Sequence, residues 1–467
     1  MLKLYNSLGR KVEPFKPIKE GEVKMYCCGP TVWNYATIGN FRTFVFEDVL
    51  RRYLKFKGFK VYQVKNITDV EDRIIKGIKQ SKMSRAELTS FYEKAFREDS
   101  ATLGIEPADL YPRATENLKE MEDLVNRLMD KGYGYKAQDG SVYFDVSKFK
   151  AYGALSGVRL GSGKSAGRVS EDHYEDKQEA TDFALWKAWD PADGDVYWEN
   201  SLGKGRPGWS IECSSMSMKY LGETFDIHTG GMDLKFPHHE NEIAQSEAAT
   251  GKKFVNYWIH SDFLKTRGEE MHKSVGNVVY VRDLVKAGWS PQTIRMFLVS
   301  SSYRDPLDLT DTSLEQARAQ TTRLSEFVAR LKSADSKSDQ GSGLSKALVA
   351  DFEGAMDDDL NTPKAFSILF TFVKRMNTLI DSDSISSTTA AESMLALKKV
   401  DSVLRVVDFA EDQTLEPELA TLLAQRDGAR KRRDFHESDR LRKELLSRGV
   451  EVEDTPKGTR WKRVGHG

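Results

Sequence analysis

The stretch from residue 23 to residue 64 constrains this chain more than any other. Val23-Lys24-Met25-Tyr26-Cys27-Cys28 reads as a short strand, and Gly29-Pro30 stops it. After Gly39-Asn40, apolar residues recur at helical spacing from Phe44 to Phe56, with Arg51, Arg52 and Lys55 toward water. Lys60-Val61-Tyr62-Gln63-Val64 reads as a second strand. Strand, glycine-containing turn, helix and strand make a βαβ unit, which implies parallel strands and a right-handed crossover. A nucleotide at the helix N-terminus is the default expectation of such a unit. The fold by itself names no function.

At 467 residues the chain is too long for one hydrophobic core, so several domains are expected. Its formal net charge of −1, from 70 basic and 71 acidic side chains, gives no global sign of nucleic-acid binding. Any such site must be a local patch. Cys27, Cys28 and Cys213 are the three cysteines, two neighbours and one distant residue, which is no disulfide framework. A reducing compartment fits better. The N-terminal residues lack the apolar core of a signal peptide, and no run of 18 apolar residues occurs. A soluble, cytoplasmic protein with no membrane partner is expected.

Residues from about 115 to 205 read as an insertion. They mix a helix over Asn117 to Lys131, a strand-like Ser141-Val142-Tyr143-Phe144 and the stretch Gly161-Ser162-Gly163-Lys164-Ser165. That last piece ends like a phosphate-binding loop but lacks the first glycine at the required spacing, so a plain loop is expected. A second α/β stretch runs from Gly208 to Leu264. Beyond about 315 the chain turns helical, with Leu324, Phe327, Val328 and Leu331 at core spacing. Ser333 to Ser345 and Asp381 to Ser387 read as exposed linkers or loop tips.

Five of the eight histidines (His228, His238, His239, His260, His272) fall within residues 228–272. Pro237 followed by His238-His239-Glu240-Asn241-Glu242 reads as a helix start. His238 and Glu242, four apart, share one helix face and can converge on one ion. Cys28 and Cys213 could supply two more ligands, and Cys/Cys/His/Glu is an acceptable zinc set. The alternative is an ordinary surface His/Glu helix and two unrelated buried cysteines, and spacing alone leaves both open.

Three blocks resemble the cysteinyl-tRNA synthetase family. They are Cys28-Gly29-Pro30-Thr31-Val32-Trp33-Asn34-Tyr35 followed by Thr37-Ile38-Gly39-Asn40-Phe41-Arg42-Thr43; Gly205-Arg206-Pro207-Gly208-Trp209-Ser210-Ile211-Glu212-Cys213-Ser214; and Phe225-Asp226-Ile227-His228 with Phe236 to Ser246. Asn66-Ile67-Thr68-Asp69 and Asp454-Thr455-Pro456 with Gly458-Thr459-Arg460-Trp461 extend the likeness over nearly the whole chain. The resemblance implies an α/β fold: a Rossmann-type parallel-sheet catalytic domain with an inserted domain, then a helical bundle and a small C-terminal anticodon-binding domain. The expected division is 1–115 and 206–265 for the catalytic halves, 116–205 for the insertion, 266–315 for the ATP-motif loop and stem-contact region, 316–410 for the bundle and 411–467 for the anticodon-binding domain.

The resemblance further implies that Cys28, Cys213, His238 and Glu242 hold one Zn2+ that takes the thiolate of L-cysteine. A sulfur ligand suits zinc and a serine hydroxyl does not, so no editing site is expected. Thr31 and Trp209 match positions lining the cysteine pocket, although a packed core aromatic is the commoner role for a tryptophan. Gly230, Gly231 and Asp233 match the stretch beside the ATP ribose, and a simple turn is the alternative for Asp233. The family's first ATP motif, usually His-Ile-Gly-His, is here Thr37-Ile38-Gly39-Asn40. Gly39 still allows close approach of the nucleotide, and Thr37 and Asn40 can donate to phosphate without carrying charge. The second motif, usually Lys-Met-Ser-Lys-Ser, is here Glu270-Met271-His272-Lys273-Ser274, with Lys273 expected to neutralise the leaving pyrophosphate of ATP with Mg2+.

The C-terminal region carries Arg426, Arg430, Lys431, Arg432, Arg433, Arg440, Arg442 and Lys443, then Lys457, Arg460, Trp461, Lys462 and Arg463. It offers the local patch that RNA would need, with Trp461 to stack on an unpaired base. Asp434, Glu437, Asp439 and Glu444 make a self-paired solvated helix the alternative. The family likeness favours tRNA(Cys), with the protein a monomer. Two rival functions follow from the same residues: a cysteine-adenylating ligase that passes cysteine to an amino sugar, and a catalytically silent tRNA-binding paralogue.

Overall fold

A computed structural model describes residues 1–158, 181–271, 276–409, 416–455 and 458–463. The Gly161–Ser165 stretch, His272 and Lys273 lie outside the described residues. The chain divides into two compact units, one of residues 1–281 with 291–407 and one of residues 282–290 with 408–467.

In the larger unit the hairpin Lys3–Asn6 (β1) and Lys11–Pro14 (β2) precedes Glu22–Cys27 (β3), Ile38–Phe56 (α1) and Lys60–Lys65 (β4). β3 and β4 are parallel neighbours, with Glu22 opposite Lys60 and Cys27 opposite Lys65, as the βαβ reading expects. α1 starts earlier than its apolar spacing indicates. Thr37 and Asn40 build a capping box that satisfies helix N-terminal donors and carries the first turn across Gly39.

Asp72–Ser81 (α2), Arg85–Thr102 (α3) and Leu118–Asp130 (α4) follow. Gly134–Lys136 (β5), Val142–Phe144 (β6), Phe183–Ala188 (β7), Trp198–Asn200 (β8) and Gly203–Pro207 (β9) then form a separate antiparallel sheet in the order β5-β6-β7-β9-β8. Trp209–Leu221 (α5), Phe225–Gly231 (β10), His238–Thr250 (α6) and Val255–Ser261 (β11) return to the first sheet. Its order is β11-β10-β3-β4, all parallel. From β3 the chain builds outward to β4 on one side and later to β10 and β11 on the other. The carboxyl ends of β3 and β10 therefore flank a topological switch point, where open α/β sheets bind ligands.

Leu264–Thr266 (β12), Glu269–Glu270 (β13) and Leu307–Leu309 (β14) make a small three-stranded sheet, with Val281–Lys286 (α7) and Pro291–Val299 (α8) between them in sequence. Asp311–Lys332 (α9), Leu344–Met356 (α10), Thr362–Asp381 (α11) and Ser387–Leu404 (α12) form the helical bundle, and Leu324, Phe327, Val328 and Leu331 are buried in it. The two polar stretches of the bundle are not independent tips. Ser336 N donates to Ile385 O at 3.0 Å and Gln340 N to Ser384 O at 2.9 Å, so each supplies the other's backbone partners.

A buried ion-pair network fastens α1 to α8. The Asp48 carboxylate accepts from Arg52 Nε at 2.7 Å, Arg295 Nη2 at 2.5 Å and Glu106 N at 2.9 Å, while Arg295 also donates to the carbonyls of Leu404 and Leu103. Burial raises the Asp48 carboxyl, but Arg295 and Arg52 outweigh it and hold it below its ordinary value. Removing one partner strands a buried charge, so Asp48→Ala is expected to cost about 3–5 kcal/mol in a denaturant melt. The folded value is depressed, so this contribution is present above about pH 4 and is lost as pH falls through the folded pKa. A melt within error of the wild type at pH 7 would refute the staple.

The smaller unit contains Pro417–Lys431 (α13), Phe435–Ser447 (α14) and the antiparallel hairpin Val450–Thr455 (β15) and Gly458–Arg463 (β16). Its core is Leu419, Leu445, Val450 and Val452, with Leu422, Leu423 and Trp461 packed against it.

Candidate active site

The switch point gathers side chains from four elements. Cys28 follows β3, Cys213 lies on α5, His228 on β10, and His238, His239 and Glu242 on α6. All six are buried. Ligand atoms of Cys28, Cys213, His238 and Glu242 lie within 4.8 Å of one another, as do those of Cys28, His228, His239 and Glu242. In the first set Cys28 Sγ is 3.9 Å from Cys213 Sγ and 4.0 Å from Glu242 Oε1, and His238 Nε2 is 3.2 Å from Glu242 Oε1.

The surroundings orient these atoms. His238 Nδ1 meets Ser210 Oγ at 3.1 Å, which leaves Nε2 toward the sulfurs and the carboxylate. Glu242 Oε2 is held by His228 Nε2 at 2.9 Å, which leaves Oε1 for the cluster. His239 stands 3.3 Å from Cys28 Sγ through Nε2 and 2.8 Å from His260 Nε2 through Nδ1, and His260 Nδ1 meets Ser7 Oγ at 2.8 Å. Metal-ligating histidines characteristically engage their second nitrogen in this way.

Protonation follows burial. Burial pushes the Cys28 thiol well up, with Cys213 and Glu242 adding to the effect. Burial also raises Cys213, but hydrogen bonds from Cys28 and Tyr26 outweigh it and leave that thiol below its ordinary value. Burial pushes His238 down to about 4 and His260 down to about 3, so these imidazoles are neutral at pH 7 and offer lone pairs. Glu242 is raised by burial against the pull of His228. Two sulfurs, one neutral imidazole and one carboxylate confined in a dry cluster are a divalent-cation donor set, and a cation there offsets the cost of burying the anionic groups.

Trp209, at the start of α5, stacks on the His238 ring with centroids 4.2 Å apart and remains 36% exposed. It therefore covers the cluster from the open side and is not a packed core aromatic. Thr31 sits just beyond β3, bridged to Thr68 beyond β4. Thr68 is buried beside Glu212. Burial, with Cys213, Asp69 and Glu71, raises that carboxyl well above its ordinary value. Gly230 and Gly231 end β10, and a side chain on Gly231 would collide with the carboxylate of exposed Asp233.

The α1 N-terminus lies at the same end of the sheet. Thr37 N donates to Asn40 Oδ1 at 2.9 Å, Thr37 Oγ1 donates to the same oxygen at 3.0 Å, and Asn40 N donates to Thr37 Oγ1 at 3.2 Å. A backbone N–H can only donate, so the amide oxygen must face Thr37 and the amide nitrogen of exposed Asn40 points away. Residues on both sides of 272–275 meet this terminus. Ile38 N donates to Val279 O at 2.9 Å and Thr37 bridges Tyr280. Met271 Cε lies 2.7 Å from where a Cβ on Gly39 would stand, so a side chain there would push the end of Met271 aside.

The sequence did not single out Ser210, His228, His239, His260 or Thr68 as site residues. The clustering of histidines carried the signal for three of them, but their partners depend on how β10, β11 and α6 stack. At the C-terminal end the structure corrects the reading of two residues. Arg426 is buried and paired with Asp454 through both oxygens, so it is no part of an exposed patch. Trp461 packs on the core of the smaller unit rather than standing free among cations. Lys431, Arg432, Arg433, Arg442 and Lys443 are exposed.

Comparison with known proteins agrees with this geometry. Residues 14–319 match the model of the tRNA synthetases class I (C) catalytic domain, 351–407 the DALR domain, and 412–461 the cysteinyl-tRNA ligase anticodon binding domain. The cysteine–tRNA ligase of Brachyspira hyodysenteriae is 45% identical, with 98% of each chain covered. That of Chlamydia pneumoniae is 44% identical over 99% of this chain and 98% of its own. Mycobacterium tuberculosis methionyl-tRNA synthetase in complex with methionyl-adenylate shares the fold at 13% identity, with a TM-score of 0.58 over 82% of this chain and 90% of that one. A ternary complex of Agrobacterium radiobacter K84 LeuRS with tRNA and LeuAMS superposes with a TM-score of 0.60 at 10% identity, over 84% of this chain and 85% of that one. Among the described residues no helix is long and apolar enough to cross a membrane. With a class I catalytic domain, a cysteinyl-type anticodon-binding domain and full-length relatives that carry one activity, the chain belongs to the cysteinyl-tRNA synthetase family.

Proposed function

We propose that the protein activates L-cysteine with ATP and Mg2+ and transfers it to the 3′ end of tRNA(Cys), acting as a cytoplasmic monomer. The observation that carries this reading is the buried Cys28, Cys213, His238 and Glu242 quartet at the switch point, on the same edge of the sheet as the α1 N-terminus. When bound, zinc supplies a soft electrophilic partner for a substrate thiol, which serine, alanine and valine cannot match. Cys28, Cys213, His238 Nε2 and Glu242 Oε1 would hold the zinc. Ser210 and His228 fix the orientation of His238 and Glu242. Trp209 closes the pocket over His238, and Thr31 lines it.

The cysteine carboxylate attacks the α-phosphorus of ATP, forming the mixed anhydride and releasing pyrophosphate. No side chain is a covalent nucleophile. The chain contributes position and charge stabilisation. Asn40 Nδ2 donates to phosphate, Thr37 holds Asn40 in that orientation, and Lys273 neutralises the departing pyrophosphate. Gly39 allows close approach of the nucleotide, and Asp233, next to Gly230 and Gly231, accepts from the ribose hydroxyls. The 3′-terminal ribose hydroxyl of the tRNA then attacks the acyl carbon and expels AMP. The sixfold division at residues 115, 205, 265, 315 and 410 is the working domain assignment, with tRNA held by 266–315 and 411–467. An anticodon-binding domain has no task in transfer to an amino sugar, and full-length matches to relatives named cysteine–tRNA ligase give the silent paralogue no support.

Asn40→Asp separates capping from phosphate contact. An aspartate oxygen accepts the same bonds from Thr37, so α1 keeps its cap. The outward donor becomes an anion, and cysteine-dependent pyrophosphate exchange is expected to fall about 10²-fold. An unchanged rate removes Asn40 from the phosphate site. Cysteine-dependent exchange in the wild type, with serine as control, tests the activation step itself. Exchange driven equally by serine would defeat the thiol-recognition reading.

A further inference from the structure

A cluster of aromatic rings stands beside the α1 N-terminus and takes no part in the chemistry above. Tyr35 packs edge-on against Phe91, Tyr92 and Tyr280, with centroids 6.1, 5.2 and 5.8 Å away. Phe91 and Tyr92 lie on α3 and are themselves 5.1 Å apart. Phe91 is 49% exposed, an unusual state for a phenylalanine in the middle of a helix. Tyr35 is two residues from Thr37, and Tyr280 is bridged to Thr37. The rings therefore form the rim of the nucleotide-facing end of α1.

Next to them α2 presents a basic side. Arg73, Lys76, Lys79 and Lys82 are exposed, and the first three recur every third residue on one side of the helix. Residues 71–85 hold five basic and two acidic side chains in a chain that is neutral overall. α2 is drawn against the rim at Gly77. A Cβ there would stand 3.0 Å from Leu88 Cδ2, one turn before Phe91, and 3.8 Å from the carbonyl oxygen of Trp33. Lys76 is thus beside the residue through which α2 meets both the Trp33–Tyr35 loop and α3.

We propose that the exposed side of α2 and the aromatic rim around Phe91 receive the unpaired 3′ nucleotides of the substrate tRNA. This rests on the synthetase reading above. The terminal ribose hydroxyl must reach an acyl group activated beside the α1 N-terminus, so the nucleotides preceding it pass over the rim. Unpaired bases stack on aromatic rings while cations track their phosphates, and this surface offers both side by side. A duplex stem would use the cations but has no unstacked base for Phe91.

The test uses the full-length protein and two RNAs, intact tRNA(Cys) and the same RNA trimmed of its unpaired 3′ nucleotides. Phe91→Ala is expected to weaken binding of the intact RNA about 10-fold, and Phe91→Trp to restore it. Lys76→Glu with Lys79→Glu is expected to lower the slope of log affinity against log salt by about 0.7 for each lost phosphate contact. Neither variant changes affinity for the trimmed RNA or cysteine-dependent pyrophosphate exchange without RNA. Equal losses with both RNAs, or no loss with either, overturn the proposal. Loss of exchange in both variants also overturns it, because the surface would then serve the adenylation site. Failure of the synthetase reading is distinguishable, since it shows in the wild type as absent cysteine-dependent exchange.

Discussion

Cys213→Ser protein is expected to purify without its metal and to lose its preference for cysteine. The replacement keeps the volume of the buried α5 position, so the fold is retained, but it exchanges a soft sulfur for a hydroxyl that zinc binds poorly. Only three donors, Cys28, His238 and Glu242, would remain to hold the metal. Metal affinity, read by competition with a chromogenic chelator, is expected to drop at least about 10²-fold, beyond what loss of an outer partner produces. The ratio of kcat/KM for cysteine over serine in pyrophosphate exchange is expected to fall by at least about 10²-fold, because the pocket then offers serine and cysteine the same contacts. Retained metal together with retained selectivity would reject the ligand assignment.

Lys273→Ala is expected to act on the rate and not on amino-acid binding. Charge accumulates on the phosphates only as the α-phosphorus bond to pyrophosphate breaks, so a cation aimed there stabilises the transition state more than the ground state. The exchange rate is expected to fall about 10²–10³-fold, roughly 2.7–4 kcal/mol of transition-state stabilisation. Cysteine affinity, set in the separate Cys28 and Cys213 pocket, stays as in the wild type. Met271 against Gly39 and Val279 bonded to Ile38, on either side of residues 272–275, tie this segment to the α1 N-terminus. A variant with normal exchange and impaired cysteine binding would move Lys273 out of the ATP site.

The parallel βαβ unit was legible because strand and helix periods are local properties of the sequence, and β3, the body of α1 and β4 stand where those periods indicate. The true start of α1 was less so. Thr37 and Asn40 form a capping box with asparagine in the place usually held by glutamate or glutamine, so the usual signature did not mark it. His238 and Glu242 declared themselves by their four-residue spacing. Cys28 and Cys213 did not, since they stand 185 positions apart and the chain between them must fold before their sulfurs meet. The outer partners Ser210, His228, His239 and His260 are set by packing among α5, β10, α6 and β11, and no spacing within one element reports such contacts. Arg426 shows the reverse error. Its charge read as exposed, but Arg426 is buried and the hairpin brings the half-buried Asp454 back onto it.

The central claim is that this quartet selects cysteine for attachment to RNA, and charging of total tRNA with labelled cysteine, ATP and Mg2+ tests it most directly. Labelled cysteine should accumulate on the RNA in an ATP-dependent reaction, serine should not, and zinc-stripped protein should charge neither. Intact, metal-loaded protein that charges no RNA, or that charges serine as readily as cysteine, would contradict the account.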